Sequence, residues 1–454
     1  MSAKHQLTEY GYLSSRLLCS KLSDLCVDKV GVQTGPFGSQ LHKEDYVDIG
    51  TPIITVEHLG NNRISHIDTP FVTDEDKKRL SKYQLKSGDI VFSRVGSVDR
   101  RALVRKEEDG WLFSGRCLRV RVDKTKIDPV YLSYFFGLES FKKYIRSIAV
   151  GATMPSINTK ILSDIPIYYP ECLEEQKRIA HIFITNDEKV NINNQTNQTL
   201  EEMAQAIFKS WFVDFDPVKA KMNGEQPEGM DAATASLFPE KLVESELGLI
   251  PDGWEIKPIK DLCSKIQNGG TPKRSESSYW DGGDIPWLTS GEVRQSIITS
   301  VENRITQLGL DKSSAKWVPE LSTLVALYGA TAGEVSLTSI PLTTNQAVCA
   351  LMPKKEHQWY NYLQLKSRVA ELAGKAVGSA QQNISKGLVE STEVLSVPES
   401  LLEAFNAQVE NLFKLRICNL QENVELAKLR DTLLPKLLSG EIELGQTQEL
   451  IEVE

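Results

Sequence analysis

The sequence predicts an α+β fold in which two similar globules alternate with two long helices. Residues 21–170 and 257–398 each alternate short β-rich segments with turn-forming residues and end in a helical segment. A similar string occurs near the end of both, VGATMPSINTKI at 150–161 and VGSAQQNISKGL at 377–388, and its matching positions lie 227 residues apart in the 454-residue chain. We therefore expect an internal duplication with two α/β globules related by a pseudo-twofold axis.

Each globule is followed by about 40 residues without glycine, at 173–212 and 401–439, in which apolar residues recur every three or four positions. This spacing predicts two long helices that pair as an antiparallel coiled coil. The seam of the first helix is Phe183, Asn186, Val190, Asn193, Asn197, Leu200, Ala204, Ile207 and Trp211. The seam of the second is Phe413, Ile417, Leu420, Val424, Ala427, Asp431, Leu434 and Leu438.

Three asparagines, Asn186, Asn193 and Asn197, make the first seam unusually polar. Two interpretations remain open. Either this stretch faces solvent and the coil is locally loose, or buried asparagines fix the pairing register at a cost in stability. Pro435 should kink or interrupt the second helix near its end, because proline has no backbone N–H to donate.

Within the first globule, strands are predicted at 51–59, 88–96 and 117–122, and the segment YLSYFFGLESFKKYIRSIA (131–149) is predicted to be one packed helix. The second globule repeats the pattern and ends in an equivalent helix at 359–377.

The same patterns give the domain boundaries. We expect a first globular domain at 1–170 (compact part 21–170), a central long helix at 171–220, an exposed linker at 221–256, a second globular domain at 257–398, a distal long helix at 399–440 and an acidic tail at 441–454.

Composition is that of an ordinary globular protein, with 41% hydrophobic and 25% charged residues. The net charge is −9, but the two globules are mildly basic, at +4 for 21–170 and +2 for 257–398, and the rest of the chain carries the acid. Any strong affinity for nucleic acid would therefore need a partner protein. No apolar stretch is long enough to span a membrane, and seven cysteines without a CxxC pair indicate reduced thiols.

Motifs for catalysis are absent from the sequence. It contains no HExxH, GxxxxGK[ST] or GxGxxG, and Asp252, Glu255 and Lys257 in PDGWEIK are too close together to surround one metal ion as nuclease residues do. We expect neither catalytic nor metal-binding residues in this chain.

Several segments resemble the specificity (S) subunits of type I restriction–modification systems, in the same order and over essentially the whole length. They are TGPFGSQLHKEDYVDIGTPII (34–54), GDIVFSRVGSVDRRALV (88–104), SGRCLRVR (114–121), FKSWFVDFDPVKAK (208–221), NGGTPKRSESSYWDGGDIPWLTSGEV (268–293), YGATAGEV (328–335), TTNQAVCAL (343–351) and KLRDTLLPKLLSGEIEL (428–444). The second long helix lacks the EQKRI start found at 175–179, which puts symmetric partner docking in doubt.

The resemblance implies two target-recognition domains, each reading one half of a split site in double-stranded DNA, and a helical spacer that docks partners. Two methyltransferase (M) subunits would methylate adenine with S-adenosylmethionine, and restriction (R) motor-nuclease subunits would add ATP-driven cleavage. S-adenosylmethionine, ATP and Mg would belong to the partners, with no cofactor in this chain. The resemblance also implies the cytoplasm of a prokaryote, with no membrane partner.

Candidate DNA-binding residues are forked donors, amides and hydroxyls on loops of the recurring motifs, because such groups suit base edges and phosphates. In the first globule they are Lys43, Arg63, Arg94, Ser97, Arg100, Arg101 and Arg116. In the second they are Thr271, Lys273, Arg274, Tyr328, Thr331, Asn345, Gln346, Asn383 and Lys386. For each arginine a surface charge or an internal salt bridge is the competing interpretation, and for the tyrosine and amides it is hydrogen bonding within the fold.

An aromatic cluster at the end of the first long helix, Trp211, Phe212 and Phe215, is a candidate partner-binding surface, with core packing as the alternative. For the whole chain, an adaptor scaffold without DNA readout remains the rival to a specificity subunit, since overall acidity favours it. A self-sufficient nuclease or methyltransferase is disfavoured by the missing motifs.

Overall fold

The computed structural model describes residues 5–27, 31–36, 40–151, 153–246, 248–375, 383–442 and 444, apart from the side chains of Lys43 and Asn61. The predicted acidic tail at 441–454 thus lies almost entirely outside the described residues. The chain divides into two compact units, unit 1 (Met1–Val190 and Glu425–Glu454) and unit 2 (Asn191–Val424). The division passes through both long helices, whereas the predicted boundaries kept each helix whole.

Unit 1 contains β1 His5–Thr8, β2 Gly11–Ser14, β3 Leu18–Lys21, α1 Leu22–Leu25, β4 Val32–Thr34, β5 Tyr46–Val47, β6 Thr51–Ile54, β7 Asn61–Asn62, β8 Phe71–Val72, α2 Asp74–Arg79, β9 Ile90–Ser93, β10 Arg101–Leu103, β11 Leu112–Phe113, β12 Cys117–Val120, α3 Pro129–Phe135, α4 Glu139–Ile148, α5 Thr159–Ser163, β13 Pro166–Tyr169 and the first part of α6 Leu173–Phe212.

Unit 2 contains the rest of α6, then α7 Asp216–Met222, α8 Ala232–Ser236, β14 Leu242–Ser245, β15 Gly248–Pro251, β16 Glu255–Pro258, β17 Cys263–Asn268, β18 Ile285–Leu288, β19 Ile297–Ile298, β20 Asn303–Ile305, α9 Gln307–Asp311, β21 Trp317–Val318, β22 Thr323–Ala326, β23 Val335–Thr338, β24 Leu342–Thr344, β25 Val348–Pro353, α10 Gln358–Lys366, α11 Val369–Gly374, α12 Lys386–Glu390, β26 Glu393–Ser396 and most of α13 Glu399–Leu438, whose last part belongs to unit 1.

The two units pair their strands alike. A five-stranded sheet has the order β4-β12-β9-β10-β7 in unit 1 and β17-β25-β22-β23-β19 in unit 2. A second sheet has the order β5-β8-β6-β11 in unit 1 and β20-β18-β24-β21 in unit 2, so three strands correspond and the fourth, β5 or β21, joins the opposite end. In both units the last two strands of the first sheet are parallel, and so is one pair in the second sheet, β6 with β11 and β18 with β24. The predicted α+β fold with two similar α/β globules is confirmed.

The core of unit 1 lies between the five-stranded sheet and the helices that follow it. All four residues of β9 (IVFS) and of β12 (CLRV) are buried, as expected for central strands covered on both faces. Phe92 packs edge-on against Phe136, and Phe136 lies beside Phe141 of α4, with ring centroids 4.9 and 4.7 Å apart.

The single helix predicted at 131–149 is wrong, because the structure breaks it into α3 and α4 at residues 136–138. A Cβ on Gly137 would lie 2.4 Å from Nη2 of Arg101, so glycine at this break makes room for a buried guanidinium. The helix predicted at 359–377 is likewise broken, into α10 and α11, and residues 376–377 lie outside the described part.

The segment predicted as an exposed linker, 221–256, is folded into unit 2. It contains α8, the β14–β15 hairpin and the start of β16, which pairs with β26. Phe238, Ile250 and Trp254 are buried in the core of unit 2. The Gly, Pro and Glu content that suggested a connector comes from the turns and the exposed face of these elements.

The long helices α6 and α13 are 40 residues each and run antiparallel. In unit 2, Asn193, Asn197 and Glu201 of α6 contact successively earlier residues of α13. In unit 1, the Asn186 amide donates to the Leu426 carbonyl (3.1 Å). The predicted interruption at Pro435 is wrong, because α13 continues through it to Leu438. The missing N–H of a proline so close to a helix end costs only one hydrogen bond.

Candidate DNA-recognition surfaces

In unit 1, several predicted residues meet at one edge of the five-stranded sheet, because β9 ends where the antiparallel β12 begins. The backbone N–H of Arg94 donates to the Arg116 carbonyl (2.8 Å), and Nη1 of Arg94 donates to the Gly115 carbonyl (3.2 Å). The Gly96 N–H donates to the Pro155 carbonyl (2.8 Å). We call this surface, residues 94–97, 114–116 and 155–156, edge 1.

Edge 1 presents cations and a hydroxyl on a rigid backbone. Arg116 and Ser97 are exposed, and Arg94 is half-buried. Gly96 has φ +76° and faces open space, so its role is conformational: it allows the turn between β9 and β10. The forked donors of the arginines suit guanine edges and phosphates alike.

In unit 2, the equivalent strand ends form edge 2, residues 271, 328–331, 345–346 and 383. Thr271 Oγ1 donates to Gln346 Oε1 (2.5 Å), which orients an exposed side-chain amide. Tyr328 forms a backbone bridge with Asn383, just as Val95 does with Ser156 in unit 1. Edge 2 therefore presents amides and a phenol where edge 1 presents guanidinium groups.

Two residues of edge 2 use their side chains for hydrogen bonds within the fold. The Asn345 side chain accepts the Ala347 N–H (3.1 Å), and buried Thr331 donates to the Tyr328 carbonyl (3.3 Å). These bonds shape the turns that carry Tyr328 and Gln346.

The remaining cations of unit 2 lie beyond edge 2. Arg274 is stacked over Trp280 and Trp287, at 4.1 and 4.8 Å from the ring centroids. Lys273 is exposed and lies 4.0 Å from Glu276, while Lys386 pairs with Glu390 (3.1 Å) within α12. Surface pairs of this kind are weak and leave both lysines available to a phosphate.

Four predicted cations of unit 1 are not brought to edge 1. The assignment of Arg101 to DNA binding is corrected, because its side chain is only 4% exposed and its Nε donates to the Ser133 carbonyl (2.9 Å). Arg100 is exposed, but its Nε donates to the Leu59 carbonyl (3.0 Å) and so braces a neighbouring turn. Arg63 is half-buried, and its pKa is lowered mainly by this burial and also by the positive charge of nearby Arg105. Lys43 begins a short 3-10 turn, and its side chain lies outside the described part.

The assignment of the aromatic cluster to partner binding is also corrected. Trp211, Phe212 and Phe215 are all buried in the core of unit 2. Phe212 lies edge-on to Tyr360 and Phe405, with ring centroids 4.9 and 5.0 Å apart. Packing these rings against α10 and α13 leaves no surface on them for another protein.

Comparison with known proteins gives the family. The model of the type I restriction modification DNA specificity domain matches residues 20–202 and again 251–400. The HindI specificity subunit of Haemophilus influenzae is 30% identical, over 84% of this chain and 92% of that protein. The MjaIX specificity subunit of Methanocaldococcus jannaschii is 24% identical, over 87% of each chain. This chain belongs to the type I restriction–modification specificity family.

The crystal structure of a type I restriction–modification S subunit from M. genitalium shows the same fold. Its TM-score to this specificity chain is 0.61, at 15% identity, and the match covers 96% of this chain and 99% of that one. Together with the two family-model matches, this likeness assigns one specificity domain to each half of the duplication.

Sequence reasoning missed some of the residues that build these surfaces in the specificity chain. Gly115, Pro155 and Ser156 complete edge 1, and Ser156 could have been found because it lies 227 residues before Asn383, a residue already chosen. Within the described residues, no group of three or more His, Cys, Asp and Glu could hold a metal ion, and no helix is long and apolar enough to cross a membrane.

Proposed function

We propose that unit 1 reads one half of a bipartite DNA site through edge 1 and that unit 2 reads the other half through edge 2. The single observation that supports this most is that both units build an edge from the same strand ends, bridged in the same way at Val95–Ser156 and Tyr328–Asn383. DNA is proposed as the ligand because the chain belongs to a family of DNA specificity subunits.

The two edges carry different hydrogen-bonding groups, so we expect them to read different bases. At edge 1, exposed Arg116 offers a forked donor, which pairs best with the O6 and N7 acceptors of guanine. At edge 2, Gln346 and Asn383 offer amides, which pair best with N6 and N7 of adenine. Each good bidentate contact is worth about 1–3 kcal/mol of discrimination.

The specificity subunit works in a complex with two M subunits and with R subunits. We propose that it is itself non-catalytic and that S-adenosylmethionine, ATP and Mg bind only to those partners. Each unit contains part of the antiparallel pair α6–α13, so each offers a helical surface on which one copy of M would dock. We also propose that the chain works in the cytoplasm of a prokaryote, where its DNA target would lie.

Footprinting of the complex with M on target DNA tests this function. We expect two protected half-sites separated by an unprotected gap. Arg116→Ala should weaken binding about tenfold at one half-site only, whereas Arg79→Ala, an exposed arginine held by Asp76 away from edge 1, should have no effect. One continuous protected site, or equal loss on unrelated DNA, would contradict the assignment. No footprint on any DNA would favour the adaptor scaffold instead.

A further inference from the structure

Unit 1 contains a cavity of about 360 Å³ that the proposed function does not use. It lies between the start of β10, the break between α3 and α4, and the α6–α13 pair. Arg101, Asn62 and Tyr134 line its polar end, and Leu138, Leu434 and Pro435 form an apolar wall. This volume falls in the range of small-molecule sites.

Arg101 is the unusual member of this cavity, since it is a buried charge without an anionic partner. Its Nε donates to the Ser133 carbonyl, but in the described residues no acceptor meets either terminal nitrogen and no carboxylate lies within ion-pair distance. Burial lowers its pKa to about 10, so the group still carries its charge at neutral pH. A buried, unpaired charge is costly and is rarely kept without a counter-charge.

A second donor in the cavity is also unpaired, whereas the acceptors are not. The amide nitrogen of Asn62 is buried and has no hydrogen-bond partner in the described part of the chain. The carboxylates nearby are each engaged: Asp187 accepts from the Tyr134 hydroxyl (2.6 Å), Asp431 from Arg430 (2.9 Å), and Glu139 from Lys142 (2.6 Å). None of these carboxylates accepts a hydrogen bond from Arg101 or Asn62, so the partner that both donors lack is an acceptor with negative charge.

Unit 2 shows that the fold itself does not require this arginine. Val335 occupies the position in β23 that Arg101 occupies in β10, as the strand registers show. Unit 2 buries a different arginine, Arg416 of α13, and provides Glu201 (2.6 Å) and the Ser296 hydroxyl (3.2 Å) as acceptors. Where unit 2 buries a guanidinium, the chain supplies the carboxylate. For Arg101 of unit 1 the described residues supply none.

We propose that the cavity of unit 1 binds a small organic molecule bearing a phosphate or carboxylate group, with the oxyanion on Arg101 and Asn62. The organic part would pack on Leu138, Leu434 and Pro435. A guanidinium fork beside an amide donor matches the geometry of either oxyanion. Because β10, the α3–α4 break and α13 all contribute, an occupied cavity would tie the recognition globule of unit 1 to its helices.

Thermal unfolding of the purified full chain tests this, with inorganic phosphate and acetate as probes for the two oxyanions and chloride at equal ionic strength as reference. We expect phosphate, acetate or both, at concentrations well above their Kd, to raise the melting temperature by about 2–4 °C. Arg101→Met should abolish the rise. Arg79→Met, which removes an exposed arginine paired with Asp76 in the same unit, should retain it.

A second variant keeps the test decisive if Arg101→Met fails to fold. Asp187 is the carboxylate whose charge acts most strongly on Arg101. Asp187→Asn removes that charge but leaves an oxygen that can accept from the Tyr134 hydroxyl. Because the variant no longer repels an anion, it should bind the oxyanion severalfold more tightly. Comparing the rise in melting temperature with phosphate monoesters and with carboxylic acids of similar size then distinguishes the two ligand classes. An equal rise in Arg101→Met, or no rise with either probe in both the native chain and Asp187→Asn, would overturn the proposal.

Discussion

Edge 1 carries arginines, whereas edge 2 carries amides and a tyrosine, although both rest on the same arrangement of strands. The buried arginines differ too: unit 1 buries Arg101 of β10 and Arg119 of β12, whereas unit 2 buries Arg416 of a long helix. The strand pairing is set by apolar segments such as IVFS and TLVA, which are buried throughout in both units. Residues outside that pairing have therefore been free to diverge, and they are the ones that would separate two half-sites.

The helix pair differs between the units in the same way. In unit 1 the core includes apolar residues of both helices, such as Phe183 and Leu434. Unit 2 also buries apolar residues of both helices, such as Phe208 and Phe405, and adds a polar layer in which Asn193 donates to Asn423 (2.9 Å) and Asn419 donates to Asn197 (2.9 Å). Asn193 and Asn197 are buried, as the second of the two interpretations of the polar seam requires, whereas Asn186 is half-buried. That the buried asparagines fix the register stays a prediction. Paired amides fit only one register, whereas leucines tolerate several.

The largest expected effect concerns the end of α6. Phe212→Ala should destabilise unit 2 by about 3–5 kcal/mol, because it removes a ring packed among Tyr360, Phe405 and Trp254. Ser439, 227 residues later, is the matched control, and Ser439→Ala should change stability by less than about 0.5 kcal/mol. Urea unfolding monitored by tryptophan fluorescence measures both. Normal stability with weaker binding of M would restore the partner-binding interpretation.

A smaller loss is expected from Glu201→Gln. The change removes the negative charge beside Arg416, which is 2% exposed, and should cost about 2 kcal/mol. Glu202→Gln, the exposed neighbour, should be near neutral. Urea unfolding again decides, and equal effects of the two variants would show that the Arg416 pair contributes nothing beyond a surface charge.

The sequence predicted what depends on local pattern and missed what depends on distant contacts. The apolar segments at 88–96 and 117–122 became β9 and β12, and glycine-free stretches became α6 and α13. The break at Gly137 was missed because the neighbour that leaves no room for a side chain there, the Arg101 guanidinium, comes from 36 residues away in the chain. Arg416, Asn419 and Asn423 were missed as seam residues because the seam of α13 was predicted from the spacing of mostly apolar residues, and polar residues do not mark such a spacing.

The candidate DNA residues divide in the same manner. Arg94 and Arg116 were found because their loops recur in both halves, and the structure brings them together at edge 1. Arg101 was chosen for its type alone, and no local pattern marks it as buried. Burial is a tertiary property, and a lone arginine after a turn gives no sign of it.

Replacing the asparagines of the polar layer with leucine should raise the stability of unit 2 and make the register of the helix pair less well defined. The triple variant Asn193→Leu, Asn197→Leu and Asn419→Leu should stabilise unit 2 by about 1 kcal/mol, since a leucine layer avoids burying amides. Because register is then less defined, the spacer of the methylated bipartite site should become heterogeneous. Methylome sequencing of cells with each variant measures this, with exposed Gln195→Leu as the control. A single unchanged spacer would show that the asparagines do not set the register.

The smallest effect compares two thiols at equivalent places. Cys26 of unit 1 forms a backbone bridge with Val122, and Cys263 of unit 2 pairs with Pro353 at the matching position. Burial raises the pKa of both thiols to about 12, so at pH 8 they stay protonated and shielded, and stability is unaffected. Exposed Cys19 should react with a disulfide reagent at least tenfold faster than either.

Labelling rates read cysteine by cysteine by mass spectrometry then report how often each unit opens. Similar rates for Cys26 and Cys263 would show that the two units are equally stable despite their different polar groups. If phosphate occupies the cavity beside Arg101, it should slow Cys26 and leave Cys263 unchanged, because only unit 1 contains that cavity in the part of the chain described. If Cys26 were labelled as fast as exposed Cys19, the Cys26 thiol would not be shielded from solvent in unit 1.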